Sequence, residues 1–304
     1  MKPVLMHQVQ EFAKTIRFSH TLFALPFALG TALVAEPPYP DAAALGLLVV
    51  CLVTARTAAM GFNRVADAAL DARNPRTADR AIPAGRLGRR AALGLVLASG
   101  AAFWAAAWGF FALRGNLWPA ILAPAFLAVL FGYSYTKRFT VLTHWILGLC
   151  LGLAPVGVWI ALRGSLALVP LLIGAAVMLW TGGFDILYAL QDVEVDRREG
   201  LFSAPARWGE RRARGVAALS HLGTLGLLAA VPFVEIEDRG LGVGSLLALG
   251  IIAFELAWYH MRTRRATVIE IAAAFFPVNA FVSILWLVGV FVDVVVGLTV
   301  RVHS

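Results

Sequence analysis

Two groups of polar residues, each beside a long apolar run, contain carboxylates four positions apart. The first group is Asn63, Asp67 and Asp71, and the second ends in Asp192 and Asp196. On a helix, side chains three or four positions apart lie on one face, so each group would present its oxygens together. Carboxylates at this spacing repel each other, and near a membrane the repulsion costs more. Cations bound between them would remove that cost.

Mg²⁺ is the cation that these side chains suit best. Carboxylate and amide oxygens are hard ligands, and Mg²⁺ usually combines one or two carboxylates with water and substrate phosphates. The alternative is that the aspartates pair with neighbouring arginines in solvated loops, which does not explain the repeated spacing. We therefore predict that Mg²⁺ and a diphosphate-bearing substrate are bound by Asn63, Asp67, Asp71, Asp192 and Asp196.

Length and composition indicate a membrane protein. Of the 304 residues, 60% are hydrophobic and 14% are charged, and the mean hydropathy is +0.78. A soluble domain usually has about 25% charged residues, so this chain has too few polar side chains to cover a water-facing surface. In a membrane protein, basic cytoplasmic loops explain the formal charge of +8 without nucleic acid. We predict an all-α polytopic membrane protein that contacts the lipid bilayer and has no nucleic-acid partner.

The apolar runs predict nine transmembrane helices, because a span needs about 20 mostly apolar residues. Long charged loops, about 64–90 and 191–212, follow the second and sixth runs. This pattern suggests two four-helix halves plus a ninth helix within a single domain, 1–304. A cleaved signal peptide is the alternative for the first run, and Pro26 and the polar residues before the run argue against it. The runs lie near 18–35, 42–66, 91–113, 118–136, 142–162, 166–190, 213–233, 241–260 and 269–298.

Basic residues predict the orientation of the chain. Of the 26 Lys and Arg residues, 21 lie at the N-terminus or in loops on the same side as the two long loops. Four lie on the opposite side, and Arg56 lies inside a span. By the positive-inside rule, the N-terminus and both acidic groups face the cytoplasm. We expect a protein of the cell inner (cytoplasmic) membrane with its site on the cytoplasmic side.

Four motifs, taken in order, resemble those of the UbiA superfamily of intramembrane prenyltransferases. The resemblance extends from about residue 15 to residue 298, and the opening segment 16–29 is similar to the branch described as 4-hydroxybenzoate polyprenyltransferase-like. Many relatives have Asn-Asp where this chain has Asn63-Arg64. We expect little effect, because Arg64 should face away from the carboxylates. The motifs are Asn63-x₃-Asp67-x₃-Asp71, the stretch 74–85 (NPRTADRAIPAG), Tyr133-x₃-Lys137, and Asp185-x₂-Tyr188-x₃-Asp192 followed by Asp196.

The resemblance implies an activity. Such enzymes use Mg²⁺ to transfer a polyprenyl chain from a polyprenyl diphosphate to an aromatic acceptor and release diphosphate. The acceptor implied here is 4-hydroxybenzoate, in ubiquinone or menaquinone biosynthesis, and the alternative is a futalosine-derived menaquinone precursor.

The resemblance also implies substrate-binding residues. Lys137 is expected to reach the diphosphate, together with Tyr133 of the same motif and with Arg76 and Arg80. The alternative for Lys137 is an ordinary basic residue of a cytoplasmic loop.

Arg56 is the charge that lies deepest in an apolar run, about two turns before Asn63 on nearly the same face. Arginines inside a membrane are functional-site hypotheses by default, and a guanidinium can bind an acceptor carboxylate bidentately. A buried carbonyl or Asp185 is the alternative partner. Asp185 is predicted to orient the acceptor phenol or to accept its proton, unless it pairs with Arg56. Tyr188 is predicted to line the site, with packing in the core as the alternative.

Other features receive simpler interpretations. His144 and Gly148-x₃-Gly152 are interpreted as packing residues. An ion-coupled transporter, the rival from another class, needs charges near mid-bilayer and broken helices. Most aspartates here lie at one membrane face instead. A CDP-alcohol phosphotransferase would have one acidic cluster and fewer spans.

Overall fold

The computed structural model describes residues 2–16, 23–234, 241–264 and 266–296, and no strand occurs in those ranges. Helices α5 and α7 end where a glycine adopts the left-handed conformation, Gly115 at φ +67° and Gly164 at φ +66°, which glycine alone adopts without strain. The helices in chain order are α1 (Lys2–Ile16), α2 (Leu25–Ala35), α3 (Ala42–Ala66), α4 (Ala68–Arg73), α5 (Arg89–Arg114), α6 (Trp118–Thr136), α7 (Thr143–Arg163), α8 (Leu168–Tyr188), α9 (Val193–Arg198), α10 (Ala204–Trp208), α11 (Glu210–Ala230), α12 (Val243–Thr263) and α13 (Val268–Val296).

Eight helices of the described ranges are long and apolar enough to cross a membrane. They are α3, α5, α6, α7, α8, α11, α12 and α13, which match the second to ninth predicted runs, and they identify an integral membrane protein. The first predicted run, 18–35, coincides only with α2. That helix has 11 residues and so extends about 16 Å, roughly half of a bilayer core. Residues 17–22 lie outside the described ranges, and the predicted count of nine is not confirmed.

One compact unit is formed by α1 and α3–α6. Helix α1 is amphipathic, and its apolar side chains Phe12 and Ile16 are buried in one core with Val65 of α3 and Val96 of α5. Gly61 of α3 makes this packing possible, because a Cβ there would lie 2.6 Å from the Phe12 ring. The N-terminal segment is therefore a packed element of this unit.

The other compact unit is formed by α2 and α7–α13. Its centre is α8, whose Trp180 and Phe184 side chains are buried. Phe27 of α2 packs on Trp180 at 5.1 Å between ring centroids and on Trp286 of α13 at 6.4 Å. Helices α2 and α7 both pack against α8, and this unit contains five of the eight long helices. The predicted arrangement, two four-helix halves plus a ninth helix, is not the grouping found.

Helices α7 and α8 approach each other backbone to backbone. A Cβ at Gly148 would overlap the carbonyl group of Met178, and a Cβ at Gly152 would overlap that of Gly174. This confirms that Gly148-x₃-Gly152 is a packing motif, in which small residues allow two helices to come close. The contact sets the register between the start of α7 and the end of α8.

Asp293 is a buried carboxylate of α13 that caps α12. It is fully buried and accepts backbone N–H bonds from Gly242 at 2.8 Å, Gly244 at 2.6 Å and Ser245 at 2.8 Å. These are donors that the first turn of a helix leaves unpaired, and the helix dipole favours a negative charge there.

We expect Asp293→Asn to lower the apparent melting temperature of the detergent-solubilised protein. The amide nitrogen would face a backbone donor, and losing a charge-assisted bond of this kind costs about 3 kcal/mol. Glu255→Gln, on α12 but outside this cap, is the control and should melt like the wild type. Equal melting of Asp293→Asn and wild type would contradict the capping role.

Candidate active site

The first acidic group lies where α3 ends. The helix breaks at Asp67, between α3 and α4, yet Asp67 N–H donates to Asn63 O at 2.9 Å and Asp71 N–H to Asp67 O at 2.8 Å. The four-residue register therefore continues through the break. The Asn63 side chain donates from Nδ2 to Asp67 Oδ2 at 2.9 Å, which brings the two side chains together.

Asp71 is held by the segment that follows it. Arg80 donates from Nη1 to Asp71 Oδ1 at 2.6 Å, and the Thr77 hydroxyl donates to the Asp71 carbonyl at 3.1 Å. Asp71 Oδ2 is buried and has no hydrogen-bond partner among the described residues. One carboxylate oxygen is thus fixed by an arginine, and the other has no donor to satisfy it. Arg80, predicted to bind substrate, contacts a predicted metal ligand here.

The 74–85 stretch folds as successive turns. Asn74 starts them by accepting from Arg76 N–H on its side-chain oxygen, at 3.0 Å, and from Thr77 N–H on its carbonyl, at 2.9 Å. Asparagine favours such turns because its side chain bonds its own backbone two residues on. Beyond the stretch, Gln8 of α1 accepts from Gly88 N–H at 3.0 Å. The turns are therefore held to Asp71 of α4, and the chain that follows them is held to α1.

Two basic residues accompany Asp67. Arg138 donates from Nη2 to the Ala66 carbonyl at 2.8 Å and to Asp67 Oδ1 at 3.4 Å, and Lys137 ends α6 beside it. Burial raises the pKa of Asp67, and repulsion from Asp71 raises it further, whereas the hydrogen bond and charge of Arg138 and the charge of Lys137 act in the opposite direction. Sequence reasoning missed Arg138, since its only signal was its position beside the Tyr-x₃-Lys motif.

Arg76 contributes to a basic pocket of about 280 Å³ in the same unit. The pocket has more cationic than anionic side chains; its charged lining residues are Lys14, Arg64, Arg76, Arg80 and Arg86 with Glu11 and Asp79. Tyr133 lies one turn before Lys137 on α6, half-buried. Its carbonyl accepts from the Thr136 hydroxyl at 2.7 Å.

Arg56 lies near the middle of α3. Its Nε atom is buried and has no hydrogen-bond partner among the described residues. A buried donor without a partner costs free energy, and the cost is larger for a charged group. An oxygen that the described residues do not supply would remove that cost.

The second acidic group follows α8. A 3₁₀ turn, Ala189–Asp192, separates α8 from α9. Asp185, Asp192 and Asp196 therefore do not share one continuous helix face, which corrects the expectation from their spacing. Asp192 and Asp196 are nonetheless 8% and 1% exposed, a degree of burial that carboxylates show only where they are compensated.

Asp185 has a histidine partner. Its Oδ2 atom lies 2.7 Å from Nδ1 of His144, and Ala204 N–H donates to Nε2 of the same ring at 3.0 Å. His144 was interpreted as a packing residue. It is buried as expected, and it also joins Asp185 of α8 to the start of α10. Tyr188 packs its ring on Phe275 of α13, with 4.8 Å between centroids.

Both acidic groups fit Mg²⁺ in chemistry. They supply hard oxygen donors, and Asp71 Oδ2 is a buried carboxylate oxygen that lacks a donor. Among the described residues, no three Asp, Glu, His or Cys side chains are close enough to hold an ion by themselves. Mg²⁺ tolerates this, because it takes its remaining ligands from water and substrate phosphates.

Comparison with known proteins identifies the class. Residues 24–292 match the UbiA prenyltransferase family, so the chain belongs to that family. This confirms the resemblance inferred from the motifs. A curated relative, the 4-hydroxybenzoate octaprenyltransferase of Methylococcus capsulatus, is 32% identical over 227 residues, which cover 74% of this chain and 73% of the relative.

Solved structures agree with this assignment. An apo UbiA homolog from Aeropyrum pernix K1 has a TM-score of 0.79 and 31% identity, covering 91% of this chain and 98% of the homolog. A UbiA homolog from Archaeoglobus fulgidus bound to GPP and Mg²⁺ has a TM-score of 0.65, covering 92% and 99% of the two chains. Its identity is 17%, so it supports the fold alone.

Proposed function

We propose that this chain transfers a polyprenyl group from a polyprenyl diphosphate to 4-hydroxybenzoate, in an Mg²⁺-dependent step of quinone biosynthesis. The relative from Methylococcus capsulatus is named for that acceptor. The observation that carries the choice of an aromatic acid is Arg56, whose buried Nε atom has no hydrogen-bond partner among the described residues. A carboxylate is the acceptor group that suits a guanidinium best.

The diphosphate is bound through the two acidic groups. Asn63, Asp67, Asp71, Asp192 and Asp196 hold Mg²⁺, which, when bound, stabilises the negative charge that develops on the leaving diphosphate. Arg80 and Thr77 keep Asp71 in place, and Asn63 does the same for Asp67. Lys137 supplies a further positive charge to the diphosphate, with Tyr133 and Arg76 beside the substrate. The polyprenyl chain remains in contact with lipid.

The acceptor is oriented from inside the membrane. Arg56 binds its carboxylate, and Asp185 accepts the proton that leaves the acceptor as the new carbon–carbon bond forms. Tyr188 lines the aromatic part of the site. All these residues act together as one catalytic domain, 1–304, at the cytoplasmic face of the inner membrane. The excess of Lys and Arg in the loops that carry both acidic groups supports this orientation.

A transfer assay tests the proposal. The purified protein in lipid nanodiscs is given a polyprenyl diphosphate and radiolabelled 4-hydroxybenzoate, with and without Mg²⁺. We expect label in the lipid extract and release of diphosphate only when Mg²⁺ is present. Transfer to a futalosine-derived acceptor but not to 4-hydroxybenzoate would overturn the choice of acceptor. Diphosphate release without any requirement for Mg²⁺ would overturn the metal assignment.

Lys137→Ala is expected to raise the KM for the polyprenyl diphosphate about tenfold and to leave the KM for the acceptor nearly unchanged. The reason is that a lysine near Asp67 acts as a point charge on phosphate, and tenfold corresponds to about 1.4 kcal/mol. Steady-state kinetics with each substrate varied in turn provides the measurement. An equal rise for both substrates would indicate a structural defect instead of a lost phosphate contact.

A further inference from the structure

We infer that His144 is a positioning residue that holds Asp185 through Oδ2 and leaves Oδ1 as the oxygen that accepts the proton. This inference rests on the proposed function, in which Asp185 is the proton acceptor. It concerns a residue of α7 that lies outside the four motifs and that was interpreted above as a packing residue. Two hydrogen bonds of the imidazole ring and the packing of α7 on α8 carry it.

The first contact determines where the ring proton lies. Ala204 N–H lies 3.0 Å from Nε2 of His144. A backbone N–H can only donate, so Nε2 must offer its lone pair. An imidazolium would bring two hydrogens together at this contact. In this arrangement the ring is therefore neutral, and its single proton is on Nδ1.

The second contact assigns the two oxygens of Asp185. Nδ1 lies 2.7 Å from Asp185 Oδ2, and since Nδ1 carries the proton, it donates and Oδ2 accepts. Oδ2 therefore carries no proton. The His144 side chain is 2% exposed and that of Asp185 is 30% exposed, so the carboxylate reaches accessible space while the imidazole does not.

The third feature is the rigidity of the support. His144, Gly148 and Gly152 follow each other at four-residue spacing on α7, and both glycines lie against the backbone of α8. Helices in such close contact hold their register, so the imidazole is presented to Asp185 from a fixed distance. Ala204 begins α10, which follows the second acidic group along the chain. The ring therefore connects Asp185 to that segment as well.

The chemical step balances with these assignments. The bond between the prenyl carbon and the diphosphate oxygen breaks, and the oxygen keeps the electron pair. The acceptor ring then supplies the electron pair of the new carbon–carbon bond. The proton that leaves the acceptor passes to Asp185 Oδ1, while Oδ2 keeps its bond from His144. His144 neither gains nor loses a proton, so it acts only through Asp185.

Two substitutions separate the two hydrogen bonds of His144. Asparagine places a donor near the position of Nδ1 and cannot reach Ala204, whereas glutamine places an oxygen near the position of Nε2 and does not keep the donor to Asp185. We expect His144→Asn to retain kcat within about threefold. We expect His144→Gln and His144→Ala to lower kcat about 30- to 100-fold, because a misplaced proton acceptor loses that much. The KM for the polyprenyl diphosphate should not change.

Two controls test whether His144 acts through Asp185. The double variant His144→Ala/Asp185→Asn should be no slower than Asp185→Asn alone, since the histidine has nothing left to position. His260→Asn, which removes another histidine of the same unit, bonded to His221, should keep the wild-type kcat. If His144→Gln were active and His144→Asn inactive, the role of His144 would be to hold Ala204 instead of Asp185. Equal losses in all His144 variants, accompanied by lower melting temperatures, would reduce it to a packing residue.

A measurement without turnover keeps this inference separate from the proposed function. In ¹⁵N-histidine-labelled protein, one of the six histidines should show a protonated Nδ1 and an unprotonated Nε2 at neutral pH. Its signal should vanish in His144→Asn and shift in Asp185→Asn. Protonation at Nε2 would overturn the inference even in an active enzyme. If the spectrum is as expected but the protein transfers no prenyl group, the inference on His144 and Asp185 stands and the proposed function is overturned.

Discussion

Asp67→Asn and Asp192→Asn are each expected to reduce turnover below a tenth of the wild-type rate at saturating Mg²⁺. A neutral amide is a poor substitute for an anionic ligand, and a tenfold loss is only about 1.4 kcal/mol of barrier. The metal-free Asp67→Asn protein should melt at the same temperature as the wild type or higher. Burial and Asp71 raise the pKa of Asp67, so at neutral pH its ionised form destabilises the folded state, and substitution removes that charge.

The control is Asp79→Asn in the same loop. The Asp79 side chain is 97% exposed and pairs with Arg86 at 2.9 Å, so its loss should change turnover less than about twofold, as for other surface ion pairs. Turnover is measured as diphosphate release over a range of Mg²⁺ concentrations. If Asp67→Asn or Asp192→Asn kept more than a tenth of the wild-type rate, that aspartate would not be an essential ligand.

Arg56→Ala is expected to raise the KM for 4-hydroxybenzoate and to leave the affinity for polyprenyl diphosphate intact. A charge-assisted bidentate contact in a dry site contributes about 2–4 kcal/mol, which corresponds to about 30-fold to several hundred-fold in kcat/KM. Arg56→Lys should recover part of the loss, because an ammonium cannot reproduce the planar fork of the guanidinium.

The substrate offers a control for Arg56. The methyl ester of 4-hydroxybenzoate lacks the carboxylate charge, so wild type and Arg56→Ala should use it with similar kcat/KM. This cycle isolates the ion pair from general damage to the site. Lower yield and melting temperature of Arg56→Ala, with an unchanged KM for the acid, would assign Arg56 to structure. Equal losses with the acid and the ester would do the same.

The features that could be predicted from the sequence depend on local spacing and on hydropathy. The second to ninth apolar runs correspond to long helices because each run is long enough to cross a bilayer on its own. Asn63 and Asp67 are hydrogen-bonded because four residues make one helical turn. Gly148 and Gly152 pack closely because neither has a side chain. Each of these inferences needs only the neighbouring residues.

The features that could not be predicted depend on contacts between distant parts of the chain. His144 meets Asp185 across 41 positions, and that meeting depends on the register between two helices. Arg80 binds Asp71 only because the turns after Asn74 bring the chain back. The 3₁₀ turn before Asp192 was missed for a related reason, since a period of 3.6 residues assumes that the helix continues.

The contact between α7 and α8 has a consequence for how such an enzyme can change over time. At Gly148 and Gly152 one helix touches the carbonyl groups of the other, and a substitution elsewhere leaves those atoms where they are. Side chains on the outer faces of α7 and α8 can therefore change while the spacing of Asp185 and His144 stays constant. We expect related chains to vary at those outer faces and to keep glycine at both positions, because a Cβ at either one would overlap a carbonyl group of α8.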